Sequence, residues 1–153
     1  PGAIPADAVI TREQLAGMLL PLADPALRWG GEDCEACSEA LRIAVGNGFL
    51  ALERRPWPDG HVSLLRPDGY VTRQEMATVA MQACGVNYRN ASCTMPVCAD
   101  AALVNNNYGT NVARALYFGF MSLEPDGCFR PRRPVTIGEA AGILNRVADF
   151  AGI

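Results

Sequence analysis

Six cysteines, thirteen arginines and a single histidine are the residues of this 153-residue chain whose types and spacing could do chemistry. All thirteen basic residues are Arg, and there is no Lys. A Lys Schiff base, a Lys general base and a P-loop Lys are therefore excluded. His61 by itself cannot build a His-rich cage, and a Ser/His/Asp or Cys/His triad has only one place to start. Asp59 lies near it, the other carboxylates are scattered, and no nucleophile has a visible base. The sequence thus argues against an enzyme and implies no cofactor.

The cysteines are Cys34, Cys37, Cys84, Cys93, Cys98 and Cys128. An even count with two close pairs reads as three disulfides, with fifteen connectivities open. The Cys34-x2-Cys37 and Cys93-x4-Cys98 pairs are also compatible with a four-thiolate zinc site. The second spacing is looser than a zinc knuckle, and the Gly and basic residues usual around zinc ribbons are missing. A redox reading of Cys34 and Cys37 wants a βαβ context, which does not surround them. The expectation is disulfides and no metal. Asn90-Ala91-Ser92 is a glycosylation sequon, which matters only on an exported chain.

Net charge is −3, which disfavours nucleic acid as the main partner. Half the residues are apolar and 19% are charged, as in a globular protein. The apolar run from Leu15 to Ala23 contains Pro21 and is about half of the roughly 20 residues a membrane span needs. No basic and apolar leader stands at the start, so the chain reads as cytosolic or as a mature exported form.

The elements that position these residues repeat. Thr11-Arg12-Glu13-Gln14, Thr72-Arg73-Gln74-Glu75 and Thr136-Ile137-Gly138-Glu139 each place Thr three residues before Gln or Glu. That is the capping box of a helix start. Apolar residues follow at the spacing of a helix buried on one face. The sets are Leu15, Met18, Leu19, Leu22, then Met76, Val79, Ala80, Ala83, then Ala140, Ile143, Leu144, Val147. The Thr residues recur at intervals slightly over 60, which marks a tandem repeat. A second helix is predicted within each full unit, over Ser38–Gly48 and Thr110–Gly119. Each ends at Gly-Phe and leads into a turn-rich stretch before the next Thr.

These residues resemble the S-layer homology family. Gly119–Thr136 is similar to its helix-end, Asp-Gly-x-Phe-x-Pro turn and Thr-led helix start. Ile10–Gln14 and Val71–Glu75 are similar to its Thr-Arg start. The resemblance covers nearly the whole chain, in permuted order. It implies one all-α domain over residues 1–153. A partial unit over 1–25 is followed by full units over about 34–85 and 93–150, forming a pseudo-threefold arrangement around a central helix bundle. It also implies an extracellular, cell-envelope setting, which supports the disulfides.

In that family the Arg of the Thr-Arg segment helps to bind acidic cell-wall polysaccharide. The resemblance therefore implies that Arg12 and Arg73 contact glycan. A planar guanidinium suits a carboxylate, and the adjoining helix N-terminus adds positive potential. Ile137 stands where the third Arg would be. Trp57, between Pro56 and Pro58, is a candidate sugar-stacking platform. Arg130, Arg132 and Arg133 are candidate contacts for an acidic glycan or the acidic face of another subunit. Asp68-Gly69 with Glu75 falls at EF-hand positions, but Leu64 and Arg66 would occupy oxygen-ligand positions, so no calcium loop is expected. Two functions follow as expectations: a wall-polysaccharide module, or a self-assembling subunit of a filament, sheath or S-layer. The second expects a homo-oligomer.

Overall fold

The computed structural model describes residues 5–31, 38–58, 60–85 and 92–152. They cluster into two compact units, one of Pro1–Ile10 with Val71–Ile153 and the other of Thr11–Tyr70. The described residues are predominantly helical, as expected, with five α-helices among them. These are α1 (Arg12–Leu19), α2 (Glu39–Gly46), α3 (Arg73–Ala83), α4 (Gly109–Tyr117) and α5 (Ile137–Ala151). One feature lies outside the helical pattern: strands β1 (Glu53–Trp57) and β2 (Gly60–Leu64) form an antiparallel hairpin, with Trp57 opposite Gly60. No helix among the described residues is long and apolar enough to cross a membrane.

In the larger unit, α3 packs on α4 and on α5. The reason is the apolar stripe. Met76, Val79 and Ala80 of α3 and Ala140, Ile143, Leu144 and Val147 of α5 are buried. Val112 and Ala115 of α4 are fully buried. Phe120 and Phe129 complete this core from the turn that joins α4 to α5. Two polar contacts fix the register of α3. Gln74 Oε1 accepts from Asn105 N at 3.0 Å, and Asn111 Nδ2 donates to Thr78 Oγ1 at 3.0 Å.

In the smaller unit, α1 packs on α2, with Leu15, Ala16, Leu19, Leu41 and Ala44 buried between or around them. Met18 and Leu22, placed on the same stripe from sequence, are half-buried. Leu22 belongs to a 3-10 turn (Leu20–Leu22) that Pro21 starts after α1. Helices α2 and α4 both end at a left-handed glycine, Gly48 and Gly119, each at φ 77°. The following Phe49 and Phe120 are thereby turned into the core, at 5% and 1% exposure.

The three Thr-led helices start alike. Each Thr hydroxyl accepts from the backbone N–H three residues on, at Gln14, Glu75 and Glu139. The reciprocal bond is made at Thr11, whose N–H donates to Gln14 Oε1 at 2.9 Å. The next two orphan donors of each helix are satisfied by the backbone of a distant turn. In the smaller unit Arg12 N and Glu13 N donate to Gly69 O and Pro67 O. In the larger unit Arg73 N and Gln74 N donate to Arg133 O and Pro131 O. There also Ile137 N and Gly138 N donate to Ala8 O and Ala6 O. In every case the acceptors lie three and five residues before a Thr of the series.

The expected disulfides are corrected. None forms among Cys84, Cys93, Cys98 and Cys128: Cys93, Cys98 and Cys128 carry free thiols. The Cys84 sulfur donates to Met81 O at 3.2 Å, and that of Cys98 to Asp100 Oδ1 at 3.0 Å. Cys34, Cys37 and Asn90 lie outside the described residues.

Candidate functional site

Arg12 and Arg73 are the only charged residues buried among those described, at 8% and 6% exposure. Both turn inward and satisfy backbone carbonyls. Arg12 Nε donates to Leu65 O at 2.8 Å and its Nη2 to Ala51 O at 2.6 Å. Arg73 Nε donates to Phe129 O at 2.6 Å and its Nη2 to Ser122 O at 2.8 Å. In each case the guanidinium fork spans two backbone carbonyls of turns outside regular helix. Ala51 and Ser122 each stand three residues after the left-handed glycine that ends a helix, so the two arginines hold corresponding places. Ile137 cannot make either bond, and its helix carries no such clasp.

Arg73 is also at the edge of a recess of about 320 Å³ in the larger unit. Ser122, Glu124, Arg133, Glu139 and Arg146 share its lining with Arg73. Three guanidinium groups thus face two carboxylates. Arg73 Nη1 is 3.7 Å from Glu139 Oε2, and Arg133 Nη2 is 3.0 Å from the same oxygen and 3.2 Å from Glu124 Oε1. Arg146 gives its Nε to Phe120 O at 3.0 Å, and neither of its Nη groups has a partner among the described residues. Burial pulls the Arg73 guanidinium below its ordinary pKa, and neighbouring Arg133 adds to this. Glu139, Glu124 and Asp100 work against the shift. Three guanidinium groups against two carboxylates leave one positive charge in excess at the recess, a setting that favours an incoming carboxylate or other anion.

The sequence-derived candidates divide as follows. Arg73 and Arg133 come together at the recess. Arg130 is drawn away to Glu124 at 2.6 Å and to Asp126. Arg132 is exposed on the same turn. Arg12 holds its clasp in the smaller unit. Trp57 ends β1, opposite Gly60. Arg146 was missed by motif reading. The available signal was its place on α5 outside the buried stripe of Ala140, Ile143, Leu144 and Val147.

Among the described residues no cluster of His, Cys, Asp or Glu could hold a metal ion. No curated protein matches the chain. Residues 104–141, which contain α4, the turn that carries Ser122, Glu124 and Arg133, and the start of α5 with Glu139, match the family model of the S-layer homology domain.

Proposed function

We propose that this chain is a non-catalytic module of the cell envelope, of S-layer homology type, that binds acidic cell-wall polysaccharide at the Arg73 recess. The observation that carries this reading is the meeting of Arg73, Arg133 and Arg146 in one partly enclosed recess, within and beside the segment that is similar to the S-layer homology domain. Domains of that family anchor proteins at the cell surface, so the resemblance supports an extracellular location. A glycan carboxylate would take the free Nη groups of Arg146 and compete with Glu124 for Arg133. A polysaccharide's several weak contacts suit a shallow, rigid site of this kind.

Three degenerate repeats form part of the same proposal. Its support is the recurrence, at all three Thr-led helices, of the same donors and the same acceptor spacing. In this reading Arg12 is both the clasp of its own repeat and the marker of a second glycan contact; the side chain of Trp57, the stacking platform proposed from sequence, lies outside the described residues. The Ile137 repeat contributes scaffold without a guanidinium.

The test is co-sedimentation with purified cell-wall sacculi, before and after acid extraction of their polysaccharide. Wild-type protein is expected to sediment only with unextracted sacculi. Arg133→Gln with Arg146→Gln, both on exposed residues, is expected to lower binding about tenfold. Full binding by that double variant would remove the recess from the reading.

A second reading, self-association into a surface layer or filament, is favoured by one feature. Tyr117 and Phe150 are 68% and 43% exposed, yet sit in a continuous aromatic cluster with Phe118 and Phe120. Sedimentation equilibrium of wild type and Tyr117→Ser separates the readings: association lost in the variant supports assembly, and a monomer at high concentration sinks it.

A further inference from the structure

The three arginines of the 130–133 turn differ in what they are free to do. Arg130 is committed to Glu124 and Asp126. Arg133 is committed to Glu124 and Glu139. Arg132 is exposed and has no hydrogen bond or ion pair among the described residues. It borders a second recess, of about 270 Å³, whose lining is Asp100, Leu103 and residues Arg130 to Arg133.

The floor of this recess is apolar. Leu103 is 58% exposed there, and Pro131, itself buried, also belongs to the lining. The single acid in the lining is occupied: Asp100 Oδ1 accepts from Phe129 N at 2.7 Å and from the Cys98 thiol, and its Oδ2 from Arg130 N at 2.8 Å. The turn is also rigid. Arg130 is held in the left-handed region at φ 56°, and Arg133 N donates to Arg130 O at 3.1 Å. A strained residue held this firmly presents the next side chains in one geometry.

We propose that this recess binds an amphipathic monocarboxylate, with one ring or a short aliphatic body seated on Leu103 and its carboxylate on Arg132. Size limits the body, because ligand pockets for larger molecules start at about 300 Å³. Charge limits the head. Arg130 and Arg133 are neutralised by Glu124, Asp126 and Glu139, which leaves Arg132 as the guanidinium of the lining without an acid partner among the described residues. A bare phosphate would leave the apolar floor wet. A neutral hydrocarbon would strip water from Arg132 without pairing it. Only a ligand with both parts satisfies the recess. The proposal is independent of the Arg73 recess, with which it shares Arg133 alone.

The test is a titration of the full chain with cyclohexanecarboxylate, followed by backbone amide NMR, beside inorganic phosphate and cyclohexanemethanol. Saturable shifts at Leu103 and Arg132 are expected, with a Kd at least about tenfold below that of either control. Arg132→Gln should raise that Kd about tenfold. Leu103→Ser should raise it as well, without affecting sedimentation on sacculi. The proposal is overturned by any of four results: equal binding of a control, shifts centred on Arg146, full affinity in Arg132→Gln, or no saturable shift.

Discussion

Arg73 grips Phe129 twice. Its Nε donates to the Phe129 carbonyl at 2.6 Å, and its guanidinium carbon lies 4.7 Å from the centroid of the Phe129 ring. The ring is fully buried, so this cation–π contact is largely shielded from water. In the smaller unit Arg12 makes the same backbone bond to Leu65, whose side chain offers no π face. The carbonyl bond is thus common to both clasps, and at Arg73 the contact with the Phe129 ring adds to it.

Removing the clasp should cost stability as well as any binding. Arg73→Ala leaves the carbonyls of Phe129 and Ser122 without their donor, so a loss of about 3 kcal/mol is expected in urea unfolding. Arg73→Lys should recover little of it, because an ammonium on a flexible stem lacks the two-pronged geometry. Equal stability of wild type and Arg73→Ala would show that the clasp is dispensable.

Acid should loosen the 124–133 turn. The hydrogen bonds from Arg130 hold the Asp126 carboxyl well below its ordinary value of 3.8. Burial opposes ionisation of Asp100, but the hydrogen bonds from Cys98, Phe129 and Arg130 outweigh it and lower its pKa too. A carboxylate with a depressed folded pKa stabilises the fold above the unfolded value, and that contribution fades as pH falls below it. Unfolding midpoints are therefore expected to be flat between pH 5 and pH 7 on this account, and to fall below about pH 4. Asp126→Asn should flatten part of the acid limb.

The two glycines of α5 should respond in opposite directions. A Cβ on Gly138 would stand 3.1 Å from Ala6 O and 3.3 Å from Ala6 Cβ, where residues 5–10 cross the start of the helix. Gly138→Val should destabilise by about 1 kcal/mol or more through that crowding. A Cβ on Gly142 meets only the flexible end of Arg146 at 3.4 Å. Gly142→Ala should stabilise by up to about 1 kcal/mol, as helix propensity predicts. Thermal unfolding of the two variants decides both signs.

The thiols of Cys98 and Cys128 should react slowly. Burial raises the Cys98 pKa, and the bond to Asp100 adds to this. Burial also raises that of Cys128, with Asp126 and Asp100 contributing. Less thiolate at a given pH means slower alkylation. In iodoacetamide labelling at pH 8, peptides containing either residue are expected to modify more slowly in the folded chain than in urea. Identical rates would show that the local field does not act on them.

The sequence by itself determined the local structure. A Thr hydroxyl finds an N–H three residues away, and an apolar stripe has one helical period, so the starts at Thr11, Thr72 and Thr136 and their buried faces were readable. The Gly-Phe steps at Gly48 and Gly119 were readable for the same reason. The S-layer homology resemblance was readable in Gly119–Thr136, and the family model matches residues 104–141 there. Long-range choices were decided by the tertiary structure alone. Whether Arg73 faces solvent or turns inward depends on two carbonyls, at Ser122 and Phe129, about fifty residues further on. The division of Arg130, Arg132 and Arg133 depends on where Glu124, Asp126 and Glu139 fall. Cysteine spacing suggested bridges, but bridging needs two sulfurs brought together in space, and Cys84, Cys93, Cys98 and Cys128 form none. Arg146 shows the same limit, since its partner Phe120 O lies 26 residues away and no local pattern marks the pair.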